Sequence, residues 1–553
     1  MTKAQQTAKD PAPGAVYDLV VIGAGINGIG IARDAAARGL RVALVEKEDL
    51  GSGTSSWSGR LIHGGLRYLE QGDVRLVRES LRERERLFRL APHLVKPVPL
   101  MMPYYAHNRR SKSLVRLAMF AYDLLSFDKS TKMHFTLSRG DALKRFPGMR
   151  PDGLKGAAIF MDGQVVWSER LCAEVALSAS ADGCHIFTYS RVDGFVRDGS
   201  RLTGVTFTDE LTGVRHTLNT RLAVNASGPW VDIVLKGQMP SGKRHIGGAK
   251  GSHLVVDPFP GAPQDVVYYE SREDGRLVLV IPWGDRYLIG TTDKKFDGDP
   301  DDARADTAEV EYLLGEVNSL IPTANLTEAD ILYTYSGIRP LPYIPEKSEW
   351  KVPRSHVIHD HGSDCQGLYS IIGGKLTTYR SLAEETVDKI FRSLGRKVPR
   401  CTTDKTLFPG ARVNDFDAYR EALAANAPVG CDTIDRLVAI YGSRAGDVLA
   451  LCKDDPDLKE VFDKETGAIA AELVFTYQTE FCRTLADALI RRVMVGLNGT
   501  CGRDALDRAA NILGARLGWD EAHRAREIED YTHYIRRFDV PRESGDAPIV
   551  AAE

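Results

Sequence analysis

The 553-residue sequence has no CxxC pair and no cysteine–histidine spacing of the kind that binds zinc. Its eight cysteines are scattered along the chain, which is typical of free thiols in a reducing compartment and excludes a disulfide framework. No metal site is therefore expected. The sequence also lacks an uninterrupted apolar run long enough to span a bilayer. Residues 1–16 are polar and contain proline, so we expect a disordered lead-in there and no signal peptide. Together these absences predict a cytoplasmic protein, either soluble or bound to a membrane surface.

Charge of either sign is not in excess. The formal net charge is −3, so any basic surface must be local, and nucleic acid is not expected as a partner. Apolar and charged residues occur at ordinary frequencies for a globular protein. The length exceeds what one hydrophobic core normally supports, which predicts two or three domains.

A dinucleotide fingerprint opens the folded part of the chain. Gly23, Gly25 and Gly28 form a GxGxxG motif between a predicted strand and a predicted helix, and Glu46 ends the next strand. Gly23 permits the tight turn, Gly25 lets the backbone approach a pyrophosphate, and Gly28 lets the helix and strand pack closely. Glu46 would accept a hydrogen bond from a ribose hydroxyl. The alternative, a glycine turn without a ligand, does not explain this context, but the motif does not distinguish NAD from FAD.

Two further segments favour FAD. Residues 51–70 follow the fingerprint and offer hydroxyl groups and bare backbone to a cofactor that extends past its pyrophosphate; these are Thr54, Ser55, Ser56, His63, Gly64 and Gly65. A serine-rich surface loop would not need the histidine or the paired glycines. A second glycine turn links a predicted strand to a predicted helix, and consists of Gly373, Gly374, Lys375, Leu376 and Thr377. That helix N-terminus would stabilise a reduced, anionic flavin, although a plain strand-to-helix connection has the same pattern.

The pattern also predicts a charged helix at 74–90 and two further helical regions. An apolar helix at 112–125 follows the cations Arg109, Arg110 and Lys112, and has Arg116 and Asp123 on one narrow stripe. It is either an interfacial segment that meets anionic lipid or a core helix with a basic lead-in. Beyond about residue 400, helices predicted at 415–425, 433–441, 472–497 and 504–517 indicate a separate helical domain.

Six motifs in order give the chain a family resemblance. They are SGRLIHGGLRYLE at 58–70, NASGPW at 225–230, KGSHLVV at 250–256, IGTTD at 289–293, YSGIRPL at 335–341 and GGKLTTYR at 373–380. The chain resembles the FAD-dependent glycerol-3-phosphate dehydrogenases over 17–380. Two departures are visible. The pair of serines usual before the Leu-Ile-His motif is here Ser58-Gly59, and the acidic pair that the family often carries before Ala-Arg-Leu is absent from 166–171, which read VWSERL.

The resemblance implies an α/β fold class: a Rossmann-like FAD-binding domain with an interleaved antiparallel β-sheet substrate domain and a C-terminal helical domain. We expect 17–100, 152–240 and 335–398 to form the FAD-binding domain. We expect 101–151 and 241–334 to form the substrate domain, which faces the membrane, and 400–540 to form the helical cap.

The implied reaction moves hydride from C2 of sn-glycerol 3-phosphate to N5 of FAD and gives dihydroxyacetone phosphate. The resemblance makes His253 the base and places the substrate phosphate against Arg339 and Arg67. Lys375 would lie near substrate and flavin, and Tyr68 would hydrogen-bond the substrate. Val192 and Ala226 complete the expected cofactor site. For each arginine, a surface or interdomain ion pair is the alternative.

The resemblance also bears on partners. It implies a quinone acceptor, attachment to an anionic membrane surface at the inner face of the cell membrane, and a homodimer as one candidate assembly. A glycerol-3-phosphate oxidase that makes hydrogen peroxide would carry nearly the same motifs. An amino-acid-oxidising flavoprotein would not require as many phosphate-binding cations. A non-catalytic flavin-binding regulator would not need His253, Arg339 and Lys375 together.

Overall fold

The computed structural model describes residues 15–70, 72–239, 242–344 and 355–542. Most of the predicted lead-in at 1–16 lies outside these ranges. Within them, no helix combines the length and the hydropathy needed to cross a membrane.

A six-stranded sheet carries the fingerprint. All neighbouring strands are parallel except at the edge strand Val357–Asp360. The order is Val357–Asp360, Leu368–Ile372, Ala223–Asn225, Leu19–Ile22, Val42–Val45 and His185–Phe187. The central strands are buried throughout and mostly apolar because both faces are covered, as is usual for parallel sheets. Their carboxyl ends meet at one edge, where ligands bind in such folds.

Two different layers cover this sheet. Helices Ile26–Ala37, Ser168–Ala181 and Tyr379–Ser393 pack together on one face. On the other face, helix Val231–Leu235 and a four-stranded sheet share a core with it. The strands of that smaller sheet are Val16–Tyr17, Arg215–Thr220, Arg201–Asp209 and Ser190–Asp198. The result is the expected mixed α/β, Rossmann-like unit.

A mostly antiparallel ten-stranded sheet lies beside this unit. Its strands are Leu61–Ile62, Val95–Tyr105, Phe135–Leu137, Leu154–Val165, Ile246–Val256, Val266–Glu270, Leu277–Trp283, Arg286–Gly290, Lys294–Lys295 and Ile331–Pro342. Helix Thr307–Leu320 packs on one face and begins with a capping box between Asp306 and Glu309. Short helix Arg67–Glu70 follows strand Leu61–Ile62, and short helix Arg139–Arg145 connects Phe135–Leu137 to Leu154–Val165.

The strand pairing differs from the expected segments in four places. Strands in segments expected to belong, wholly or partly, to the FAD-binding domain pair within the ten-stranded sheet; these are Leu61–Ile62, Val95–Tyr105, Leu154–Val165 and Ile331–Pro342. An apolar pattern identifies a strand, but the partner it joins is decided by long-range pairing. The domain bounds themselves stay a prediction.

The helices at 74–90 and 112–125 have the predicted bounds, Val74–Leu90 and Lys112–Leu125. The C-terminal region is helical, as expected. Its α-helices are Phe416–Ala424, Cys431–Tyr441, Ala445–Asp454, Ala470–Thr479, Leu506–Leu517 and Glu521–Ile535, with a small hairpin of Val461–Asp463 and Ala468–Ile469.

The predicted continuous helix at 472–497 is wrong. The helix ends at Thr479, Phe481 has φ +62°, and a separate helical turn follows at Asp487–Arg492. Glu480 is fully buried and pairs with Arg170 of the FAD-binding unit, 2.5 Å away. Tertiary pairing of these charges therefore overrides the local helical pattern.

Candidate active site

The first glycine turn has the geometry that the fingerprint predicts. Gly23 has φ +98°, and a Cβ on Gly28 would lie 1.9 Å from the carbonyl oxygen of Gly23. A side chain at Gly28 would therefore push the helix away from the turn. The helix N-terminus is closed by the loop that follows, because the backbone N–H of Ile26 donates to Ser55 Oγ over 2.9 Å.

A cavity of about 470 Å³ opens at this turn. This volume is in the range of cofactor sites. The sequence-predicted cofactor residues that line it are Gly23, Gly25, Glu46, Thr54, Ser55, Val192, Ala226, Gly373, Gly374, Lys375 and Leu376. These come from distant segments and meet at the carboxyl edge of the parallel sheet.

Other predicted cofactor residues support the wall instead of lining the cavity. Ser56 is buried and its hydroxyl donates to the Gly51 carbonyl oxygen over 2.7 Å. The N–H of Gly64 donates to the Tyr122 hydroxyl over 2.9 Å. The N–H of His63 donates to Thr377 Oγ1 over 3.2 Å, so these two residues tie the loop to the second glycine turn.

Glu46 is buried at the end of its strand, beside the cavity. Its carboxylate accepts hydrogen bonds from the N–H of Ala24 over 2.6 Å and of Glu48 over 2.9 Å. Burial raises the pKa of Glu46 to about 7, although both hydrogen bonds act to lower it. The hydrogen bond to a ribose hydroxyl stays a prediction.

Sequence reasoning missed Asn27 and the pair Lys47 and Trp230, which also line the cavity. Asn27 Oδ1 is buried and has no hydrogen-bond partner among the described residues. The Lys47 ammonium lies 4.5 Å from the Trp230 ring centroid. An orphaned polar atom beside a bare glycine turn fits a large nucleotide cofactor such as FAD. Asn27 could have been found, since it occupies a variable position of the fingerprint.

A second, smaller cavity of about 180 Å³ lies on the side of the ten-stranded sheet. Its polar lining includes His63, Tyr68, Asp162, Arg276 and Arg339. Of the predicted substrate residues, the structure thus places Tyr68 and Arg339 together. The side chain of Arg67 lies outside the described part of the structure, so its predicted role stays a prediction.

Arg339 and Arg276 share one acidic residue at this cavity. Arg339 Nη1 lies 2.8 Å from Asp293 Oδ1, and its Nη2 donates to Thr291 Oγ1 over 3.0 Å. Arg276 Nη1 donates to the Asp293 carbonyl oxygen over 2.9 Å, and its Nε lies 2.8 Å from Asp274. Arg276 was not predicted, because no motif contains it.

Lys375 stands at the boundary between the two cavities. It lines the larger one, its ammonium lies 4.0 Å from the Tyr68 ring centroid, and it donates to Ser80 Oγ over 2.9 Å. Burial lowers the pKa of Lys375 against the opposing effects of Tyr68, Glu79 and Asp162. One cation therefore reaches both the cofactor side and the side of Tyr68.

The two candidate bases have different surroundings. His253 is buried against Tyr335, with ring centroids 4.9 Å apart, and neither ring nitrogen has a hydrogen-bond partner among the described residues. A Cβ on Gly59 would lie 3.6 Å from His253 Nε2, so the departure at Gly59 leaves space at this nitrogen. His253 does not line the smaller cavity, whereas His63, predicted for the cofactor, does.

Both imidazoles are neutral near pH 7. Burial lowers the pKa of His253 to about 3, helped by Arg339 and Arg60. Burial, with the charge of Lys375, lowers the pKa of His63 to about 4, while Asp162 opposes it. The neutral form is the one that accepts a proton.

Comparisons with known proteins agree with this geometry. Residues 18–380 match the family described as FAD dependent oxidoreductase, and residues 401–524 match the C-terminal domain of alpha-glycerophosphate oxidase. The chain is 43% identical to the glycerol-3-phosphate dehydrogenase of Synechocystis, covering 95% of this chain and 97% of that protein. It is 35% identical to glycerol-3-phosphate dehydrogenase 2 of Mycobacterium bovis, covering 93% and 87%. It is also similar to the crystal structure of the Bacillus halodurans glycerol-3-phosphate dehydrogenase with FAD, with TM-score 0.79, 27% identity and 98% of each chain covered.

Proposed function

Because the chain belongs to the FAD-dependent oxidoreductases and, within them, to the glycerol-3-phosphate dehydrogenase family, we propose that it oxidises sn-glycerol 3-phosphate to dihydroxyacetone phosphate. FAD is the cofactor and supplies the hydride acceptor when bound. The observation that carries the proposal is Lys375, which borders the cavity that fits FAD and also contacts Tyr68 of the second cavity. Gly23, Gly25 and Ser55 would hold the cofactor at the helix N-terminus.

The substrate phosphate would lie against Arg339 and Arg276. A buried phosphate dianion is costly unless it is paired, and two guanidinium groups at one cavity meet that need with bidentate contacts. Arg67 is proposed as a further contact from its motif. Tyr68 and Lys375 would then orient the substrate so that the hydrogen on C2 faces the larger cavity.

Oxidation at C2 also requires the loss of the hydroxyl proton. His253 is the base that the motif implies, and His63 is the second candidate because it lines the cavity with Tyr68 and Arg339. Either imidazole would take the proton while C2 gives up its hydride.

The test is anaerobic addition of glycerol 3-phosphate to the FAD-loaded protein. We expect bleaching of the flavin absorption, since substrate electrons reduce the cofactor. Arg339→Ala should keep FAD but need roughly 30- to several-thousand-fold more substrate, equivalent to about 2–5 kcal/mol. Arg244→Ala is the matched control, because Arg244 is 41% exposed and pairs with Asp297. Wild-type affinity in Arg339→Ala would refute the phosphate assignment, and no bleaching of the wild type would refute the function.

A membrane quinone is the proposed electron acceptor. The support is helix Lys112–Leu125, which exposes Leu117 by 66%, Phe120 by 60% and Leu124 by 64%. The same region exposes Phe127, Met133 and Phe135. Contiguous exposed apolar side chains beside exposed cations match a surface that dips into an anionic membrane. We propose peripheral attachment at the inner face of the cell membrane.

One detail of that helix differs from the sequence expectation. Arg116 is exposed, but Asp123 is buried and its carboxylate lies 2.6 Å from His134 Nδ1 and also pairs with Lys129. Within the predicted polar stripe, the negative charge of Asp123 is therefore neutralised by its neighbour Lys129.

Measuring peroxide formation and quinone reduction in parallel identifies the electron acceptor. We expect quinone analogues in vesicles to reoxidise the flavin faster than oxygen does. Stoichiometric peroxide without a quinone requirement would instead show a glycerol-3-phosphate oxidase, whose C-terminal domain family this chain matches.

A further inference from the structure

Three histidines meet where the two large sheets adjoin. His359 lies in the edge strand Val357–Asp360 of the six-stranded sheet, and His361 follows that strand. His245 directly precedes strand Ile246–Val256 of the ten-stranded sheet. One ring nitrogen of each lies within 4.8 Å of the others. The ring centroids are 4.6, 4.8 and 5.4 Å apart.

Two of the rings are oriented by a hydrogen bond at one of their nitrogens. His245 Nδ1 lies 2.9 Å from Asp232 Oδ1, and His361 Nε2 lies 2.8 Å from Ser370 Oγ. These contacts leave His245 Nε2 and His361 Nδ1 for another partner. A carboxylate or hydroxyl behind an imidazole is the arrangement that fixes histidine ligands at metal sites.

We propose that His245, His359 and His361 together bind one divalent transition-metal ion, with zinc as the best match. Imidazole ligands select zinc, copper or nickel, whereas magnesium and calcium prefer oxygen ligands. Zinc lies about 2.0–2.1 Å from histidine nitrogen, so tetrahedral ligand nitrogens are about 3.4 Å apart. Side-chain rotations that move each ring nitrogen by about an ångström would bring the three nitrogens to this separation. Water would take the fourth position.

The position of the cluster indicates what the ion would do. Ser370 lies in strand Leu368–Ile372, which runs into Gly373, and strand Ile246–Val256 carries His253. None of the three histidines lines either cavity described above. A bound ion would therefore link the cofactor sheet to the substrate sheet without touching substrate, and would stabilise the folded enzyme by mass action.

The test uses the full-length, FAD-loaded protein after dialysis against a chelator. Zinc chloride is titrated calorimetrically, and bound metal is counted by mass spectrometry. In a separate sample, cobalt(II) absorption at wavelengths longer than those of the flavin bands reports the ligand geometry. We expect one zinc ion per chain and a thermal midpoint that rises with zinc concentration. His359→Gln and His361→Gln should each bind at least about tenfold more weakly, and Asp232→Asn about 10- to 100-fold more weakly.

Two controls keep the outcome decisive. His523→Gln removes a histidine of the helical cap that is 41% exposed and should bind zinc like the wild type. His359→Gln changes the least buried member of the cluster, so its FAD content should remain normal and it decides the result if His361→Gln fails to fold. The proposal is overturned if the wild type binds no stoichiometric zinc, or if His359→Gln binds it with unchanged affinity.

Discussion

At the scale of single residues, two imidazoles are candidates for the base that takes the hydroxyl proton. His63 lines the smaller cavity beside Tyr68, while His253 is buried against Tyr335 and faces Gly59. Burial keeps both neutral, with pKa values of about 4 for His63 and about 3 for His253. Their charges therefore cannot decide between them, and position must.

Replacing each histidine separately distinguishes the two. We expect the variant that lacks the base, His63→Asn or His253→Asn, to reduce its flavin about 10²- to 10⁴-fold more slowly in stopped-flow mixing with glycerol 3-phosphate. The other variant should change mainly the substrate concentration needed for half-maximal reduction. His216→Asn, in strand Arg215–Thr220, serves as control. Equal, small effects in both variants would show that neither histidine is the base.

The lowered pKa of Lys375 predicts that the catalytic efficiency depends on pH. Burial lowers its pKa below the ordinary lysine value of about 10.4, so its ammonium loses charge as the pH rises through that lowered value. We expect kcat/KM to fall along an alkaline limb that lies below the ordinary titration range of lysine, because a neutral lysine no longer attracts anionic groups. Lys375→Arg should move this limb to higher pH, since arginine stays protonated. Lys294→Arg, in a surface pair with Asp306, should leave it in place, and an unmoved limb in Lys375→Arg would contradict the assignment.

At the scale of elements, helix Lys112–Leu125 shows what periodicity does and does not determine. Its bounds follow from the sequence, as does its cap, where Ser111 Oγ accepts from the N–H of Leu114 over 3.2 Å. Periodicity left open whether the apolar side chains pack in a core or face outward. The fold buries Val115 and Met119 and exposes Leu117 and Phe120, so one face of the helix packs in the core and the opposite face is exposed.

Charging the exposed face tests membrane attachment. The double variant Leu117→Asp, Phe120→Asp should bind anionic vesicles at low salt at least about tenfold more weakly in a sedimentation assay. Each lost apolar side chain removes about 1.5–3 kcal/mol of favourable free energy of burial in the membrane. Thermal stability should hardly change, since both side chains are already exposed. Leu211→Asp, in a turn of the four-stranded sheet and 46% exposed, is the control. A wild type that stays in the supernatant would refute surface attachment.

At the scale of the whole molecule, buried charges join the helical cap to the cofactor loop. Asp49 lies just before Gly51 and contacts Arg491 Nε at 2.6 Å and Arg492 Nη2 at 2.8 Å, with all three side chains buried. Burial acts to raise the pKa of Asp49, but Arg492 and Arg491 outweigh it and hold the pKa below the ordinary value. Arg170 and Glu480 form a second buried pair across the same boundary.

Removing Asp49 should therefore destabilise the entire enzyme. Asp49→Ala removes the carboxylate that both buried guanidinium groups share. It leaves Arg491 with Asp487 and leaves Arg492 with backbone carbonyl oxygens only, at a cost of about 3–5 kcal/mol. We expect a lower thermal midpoint and faster proteolysis between cap and cofactor domain. Arg516→Ala breaks a partly exposed pair with Asp455 and should cost at most about 1 kcal/mol. Equal midpoints for the two variants would show that the buried cluster does not hold the cap.

The sequence by itself determined the local features: the βαβ unit, the two glycine turns, helices 74–90 and 112–125, and the helical C-terminal region. These features follow from the hydrophobic period and from tight turns whose backbone geometry glycine adopts readily. The ordered motifs then carried family, cofactor and reaction, which the comparisons support.

Only the tertiary structure decided which distant residues share a surface. It placed His63 with Arg339, added Arg276, and brought His245 to His359 and His361. It also ended the helix at Thr479, because Glu480 gains a buried partner that no local pattern contains. Local periodicity is set by neighbours along the chain, whereas strand pairing, buried ion pairs and cavities depend on residues far apart in sequence. Those contacts exist only once the sheets have packed.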